Sequence, residues 1–342
     1  MTTHFTDLAQ RAAADGKVTS EELLALRRQG WGDGVIHRDE AEALFVLNNA
    51  LHDRSDEWCD FFVEAISESV LNGTPPRLQC DDTEAQWLID QIDHDGVVDS
   101  IVELETMVRI LERAENTPVK LKNYVLDQVE REVLTGTGPT RCGGELSATH
   151  ISAAECKILR RVIFARGGHG PAAVTRYDAE LLFRLKDETL AEENAAAWDD
   201  LFIDGVANYL KGFALQNAQV SHSRKKELES FIADNKANVG RFFGRMAKEA
   251  PKAANHLGVV FGKRSGAHER PDYTALEMAG NEVTDHEQEW LDAMIDADGE
   301  VDELERRLIA RLAQEDDSAS KRARWQDEVE SIESKIDLFD LF

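Results

Sequence analysis

Cysteine is sparse in this sequence. The four residues Cys59, Cys80, Cys142 and Cys156 lie far apart and form no Cys-x-x-Cys pair. That removes zinc-ribbon and thioredoxin-type chemistry and predicts reduced, mostly buried thiols. No apolar run approaches membrane-spanning length, and the first residues, Met1 to Asp7, lack the basic-then-apolar pattern of a signal peptide, so a cytoplasmic chain is expected. Gly-x-Ser-x-Gly, a phosphate loop, Gly-x-Gly-x-x-Gly and His-Glu-x-x-His are also missing. With the carboxylates predicted in solvated turns, no enzyme is expected. Basic residues are outnumbered, 39 Lys and Arg against 66 Asp and Glu, for a net charge of −27. Such a field repels nucleic acid and anionic membrane and favours cations and basic partners. An apolar fraction of 42% is enough for packed cores, so the excess charge sits on a folded protein.

What is present is a repeat. Val18-Thr19-Ser20-Glu21-Glu22, Cys80-Asp81-Asp82-Thr83-Glu84, Ile151-Ser152-Ala153-Ala154-Glu155 and Val283-Thr284-Asp285-His286-Glu287 align, and their last glutamates precede Gly34, Gly96, Gly167 and Gly299 by 12 residues each (34−22, 96−84, 167−155, 299−287). Thr19, Asp81, Ser152 and Thr284 are predicted N-caps, with Glu22, Glu84, Glu155 and Glu287 completing capping boxes. Apolar residues at helical spacing follow each cap, and a second apolar helix follows each glycine. A third helix opens on Trp58, Leu121 and Trp198, and in the fourth copy on Trp325; these aromatics read as core. The fold class predicted is all-α, with four tandem three-helix units and a long basic helical insertion before the last. The boundaries are 1–74, 75–140, 141–212 and 276–342 for the units and 213–275 for the connector, set where turn formers gather.

The connector reverses the charge sign. Residues 213–270 hold eleven Lys or Arg against five acids, +6 inside a −27 chain. The stretch 222–248 reads as a helix with an apolar side. It either neutralises the acidic units or binds a partner or a second copy.

The glycine turns carry carboxylates in the order of a calcium loop, which needs oxygens at positions 1, 3, 5 and 12 and glycine at 6. With Gly299 at position 6, Asp296, Asp298, Asp302 and Glu305 fall at 3, 5, 9 and 12, and Met294 occupies position 1. In the second copy Asp93, Asp95 and Asp99 fit, Gln91 takes position 1, and Glu103 lies one residue late; the first copy retains Asp33 and Glu40. Two chemistries suit these residues: turn formation and capping without metal, or weak binding of Ca2+ or another divalent cation. His37 and His94 stand beside two of the loops as donors for softer metals.

The run Asp296-Ala297-Asp298-Gly299-Glu300-Val301-Asp302-Glu303-Leu304-Glu305, set between helices, resembles the tellurite-resistance TerB family and TerB-like domains. That resemblance implies an all-α cytoplasmic fold with a clustered acidic surface, associated with metal or stress responses and acting as an interaction module. The function expected is therefore a non-catalytic acidic scaffold modulated by divalent cations. A second reading comes from the end of the chain. Ile336-Asp337-Leu338-Phe339 is similar to the peptide with which bacterial proteins dock on the sliding clamp, with Lys335 in place of its glutamine. In that reading Ile336, Asp337, Leu338, Phe339, Leu341 and Phe342 recruit the chain to a replication or repair partner; otherwise the tail folds back on the fourth unit.

Overall fold

The computed structural model describes residues 2–14, 16–32, 34–93, 98, 100–141, 149–167, 174–210, 285–295 and 302–315. Within them the chain is helical and no strand occurs. The helices are α1 (Thr2–Ala14), α2 (Ser20–Gly30), α3 (Arg38–Ala50), α4 (Asp56–Asn72), α5 (Asp82–Ile92), α6 (Ile101–Arg113), α7 (Val119–Thr135), α8 (Ala153–Ile163), α9 (Arg176–Thr189), α10 (Trp198–Leu210), α11 (Asp285–Ile295) and α12 (Glu303–Glu315). No helix among the described residues is long and apolar enough to cross a membrane.

The predicted capping boxes form at α2, α5 and α8. Thr19, Asp81 and Ser152 each accept the backbone N–H three residues on, while Glu22, Glu84 and Glu155 accept the cap N–H at 2.9, 2.9 and 2.8 Å. Two otherwise orphaned donors are satisfied at each start, an effect of about 1 kcal/mol per cap. Thr284 lies outside the described residues. Each of these helices is followed, beyond its glycine, by a second one, and the two are taken as a pair in sequence: α2 and α3, α5 and α6, α8 and α9, and α11 and α12.

Two of those glycines are needed for different reasons. Gly34 adopts φ +88°, and an added Cβ would meet nothing, so it is the left-handed backbone that favours glycine there. At Gly167 a Cβ would come within 2.7 Å of the Leu111 carbonyl oxygen. The backbone N–H of Gly167 donates to that oxygen at 2.9 Å, and its own carbonyl accepts from Thr117 N–H and Oγ1, each at 2.6 Å. Close approach between α6 and the turn after α8 is what glycine permits at that position.

The helix that follows one pair packs on the second helix of the next. Thus α4 lies against α6, α7 against α9 and α10 against α12, and α1 takes the same place on α3 at the start of the chain. Backbone bonds tie the segment before each first helix to the link after the second: His52 N–H to Gly16 O at 3.1 Å, Cys80 N–H to Asn116 O at 3.0 Å, and Ala195 N–H to Ile151 O at 2.8 Å. The buried side chains form one continuous core.

Within this array the aromatic packing occurs twice. Phe45 meets Phe62 edge-on at 5.2 Å and Trp87 at 5.9 Å, with Trp58 against Phe62 at 6.0 Å. Phe183 meets Phe202 at 5.2 Å and Trp290 at 5.8 Å, with Trp198 against Phe202 at 6.2 Å. The polar surroundings match as well. Arg27 pairs with Glu64 and lies over Trp31, as Arg160 pairs with Asp204 and lies over Phe164. Helices α2 to α6 therefore correspond, in order and at these positions, to α8 to α12. The basic connector falls in the second half where residues 73–81 make a short link in the first.

Candidate functional site

Glu40, Glu103 and Glu305, which the sequence places at or near the end of their loops, lie at the third position of the second helices, and Asp178 takes the same position in the third copy. Glu40, Glu103, Asp178 and Glu305 open α3, α6, α9 and α12, and all four are at most 5% exposed. Three of them reach back to the residue before their helix. His37 N–H donates to Glu40 Oε2 at 3.0 Å, Thr175 N–H to Asp178 Oδ2 at 2.7 Å, and Asp302 N–H to Glu305 Oε2 at 3.1 Å.

A buried carboxylate needs more than one cap bond, and a side chain from the preceding part of the array supplies the rest. Asn48 Nδ2, on α3, donates to Glu103 Oε1 at 3.1 Å. Lys122 Nζ, on α7, donates to Asp178 Oδ2 at 2.6 Å and to the Ile163 carbonyl at 3.2 Å. Lys186 Nζ, on α9, meets Asp302 Oδ2 at 2.5 Å, Glu305 Oε1 at 2.9 Å and Asp187 Oδ1 at 2.7 Å. Glu103, Asp178 and Glu305 thus each join their helix pair to the structure before it.

Electrostatics at the last joint follow from one ammonium facing three carboxylates. Burial alone would lower the pKa of Lys186, but the hydrogen bonds it donates to Asp187, Asp302 and Glu305 outweigh that and hold the ammonium above its ordinary range. Burial pushes Glu305 up to about 7; Lys186 opposes that shift and the charge of Asp302 adds to it. A single positive charge faces three carboxylates there, and the most buried of them is the one whose pKa is raised.

The loop residues named in the sequence divide as follows. Asp302 caps α12, accepting from Glu305 N–H at 2.9 Å, and Glu305 is engaged as described. Asp93 ends α5, where its backbone N–H donates to Ile89 O at 2.7 Å. Asp95, Asp99, Asp296 and Asp298 lie outside the described residues, as do 222–248 and Ile336, Asp337, Leu338, Phe339, Leu341 and Phe342. Among the described residues no group of three or more His, Cys, Asp or Glu is placed to hold a metal ion. At Asp302 and Glu305 the position between the carboxylates is taken by the Lys186 ammonium, which a divalent cation would have to displace.

The donors Asn48, Lys122 and Lys186 were not singled out in the sequence. A signal for Lys186 exists there: it falls on the apolar stripe of α9 beside Leu182, Leu185 and Thr189, where a lysine without a partner would be costly. No protein-family model matches the chain, and neither a curated protein nor a solved structure is found similar to it.

Proposed function

We propose that the chain is a non-catalytic acidic scaffold of the cytoplasm, built from four repeated three-helix units of TerB-like type, which presents its surface to protein partners. One observation carries this reading. The buried acids that open the second helices, Glu103 and Glu305 of the metal-like loops among them, are used to join helix pairs, through Asn48 to Glu103, Lys122 to Asp178 and Lys186 to Glu305. An array locked in that way is suited to hold a fixed surface. Outside 213–270 the chain carries a net −33, from −27 minus the +6 of that stretch, a field that attracts basic partners. The tail 336–342 and the basic stretch 222–248 are the proposed partner-contacting segments, and any divalent modulation would act weakly at the loops around Asp95 and Asp298.

The test is capture from the source cell on the immobilised full chain, in low and high salt. A specific protein partner lost at high salt supports the scaffold. Turnover of a small molecule by the purified chain, with no protein captured under either condition, would overturn it.

A further inference from the structure

The two halves differ at the surface beside a corresponding tryptophan. In the second half Trp290 is 6% exposed, because Tyr209 at the end of α10 packs edge-on against it, with ring centroids 4.7 Å apart. Tyr209 also lies beside Arg176. That guanidinium is held above its ordinary pKa first by its hydrogen bond to Glu180, at 2.7 Å, and further by the nearby tyrosine.

In the first half the counterparts of Trp290, Arg176 and Glu180 are Trp87, Arg38 and Glu42, but the counterpart of Tyr209 is Ser69 (209−140, the offset that relates Trp198 to Trp58). Among the described residues no tyrosine covers Trp87. An open groove of about 440 Å³ lies there, lined by Arg38, Asp82, Thr83, Gln86, Trp87 and Asp90. Arg38 rests over the Trp87 ring at 4.5 Å, and the indole N–H donates to Glu42 at 3.2 Å.

The geometry points to this groove as a docking site for a partner peptide that presents an aromatic residue flanked by basic ones. The aromatic residue takes the place on Trp87 that Tyr209 takes on Trp290 within the chain. Arg38 can yield that place as Arg176 does, by turning to the glutamate four residues on, an ordinary helix-surface pair. Asp82 and Asp90 at the edge of the groove then receive the basic neighbours, in keeping with the acidity of the array. An aromatic pair of this kind adds to the binding beyond the area it buries.

This inference rests on the scaffold reading, and its test is separate from that of the reading. The Trp87 indole N–H resonance of the full chain, assigned with Trp87→Phe, is followed during titration with Gly-Arg-Tyr-Arg-Gly and Gly-Arg-Ala-Arg-Gly peptides. The tyrosine peptide is expected to shift it saturably and to bind at least about tenfold more tightly than the alanine peptide. Ser69→Tyr should fill the groove from within and abolish the shift while the melting temperature holds or rises. If that variant fails to fold, Asp82→Lys with Asp90→Lys takes its place and should also lose the tyrosine peptide. Equal binding of both peptides, no binding of either, or undiminished binding by the folded variant overturns the inference. No binding of either peptide by a chain that still captures a cellular partner overturns the inference and leaves the scaffold standing.

Discussion

Asn48 and Lys186 occupy the same position of two corresponding helices, 138 residues apart (186−48), and each reaches a buried glutamate at the start of the second helix of the next pair. The exchange changes what the neighbouring tryptophan can do. Asn48 Oδ1 accepts from Trp58 Nε1 at 3.2 Å and from Arg54 Nε at 3.0 Å while its amide donates to Glu103. A lysine has no acceptor to offer, and Trp198 Nε1, the counterpart of Trp58 Nε1, is buried without a hydrogen-bond partner. The second half has gained a charge–charge joint and lost an indole hydrogen bond.

Lys186→Ala should therefore destabilise the chain by about 3–5 kcal/mol, since it leaves Glu305 and Asp302 facing one another in a buried place without their cation. Lys186→Asn should cost less, because the amide can donate to Glu305 and accept from Trp198. Urea unfolding of the two variants measures the difference; equal losses would mean that the Asn48 arrangement is not transferable.

How much of this was legible in the sequence depends on where one counts from. The caps at Thr19, Asp81 and Ser152 and the aromatic cores around Trp58 and Trp198 follow from local pattern, because capping and apolar periodicity are local effects. Glu103 seemed one residue late when counted from Gly96, yet it holds the third position of α6 just as Glu305 does in α12. The turn after Gly96 is one residue longer (101−96 against 303−299), and the helix start, not the glycine, fixes which carboxyl is buried. The correspondence of the two halves was hidden for two reasons. The basic connector interrupts the second, and the uniform interval of 12 gives no sign that helix pairs alternate. Lys122 and Lys186 could not be matched to their acids, because partners 56 and 119 residues away are brought together only by packing (178−122, 305−186).

A pH dependence is expected from Glu132. This residue of α7 is buried, accepts from Thr140 N–H at 3.0 Å through one oxygen and has no partner on the other. Burial, the largest effect, raises its pKa against the hydrogen bonds from Thr140. A carboxyl raised on folding favours the folded state most below its unfolded pKa, about 4.3, and loses that contribution as pH rises through the folded value. The wild type should accordingly lose ground to Glu132→Gln as pH increases from 5 to 8. Melting curves of both proteins across that range decide it; a gap that stays constant or moves the other way would assign Glu132 an ordinary pKa.

Cys80 should resist alkylation. Burial, reinforced by the charges of Glu84 and Asp81, raises its thiol pKa far above the usual range, so almost no thiolate is present at pH 8. Iodoacetamide mapping of the folded chain should find Cys80 unmodified until denaturant is added, with the half-buried Cys59 reacting first of the two. Equal rates would contradict the burial that the fold assigns.

Removing residues 335–342 should abolish partner capture while leaving the melting temperature unchanged, since the tail is proposed to dock outward through Leu338, Phe339 and Phe342. A truncated chain that melts several degrees lower and still holds its partners would make the tail part of the fourth unit.

The most direct measurement is calorimetric titration of the full chain with calcium, for wild type and Glu305→Gln. If the buried acids serve as joints, calcium binds no more tightly than about 10⁻⁴ M, and the substitution changes stability without changing that binding. A sub-micromolar site that vanishes in Glu305→Gln would show that Glu305 serves a metal ion and not Lys186, and would contradict the reading of these loops as joints of a scaffold.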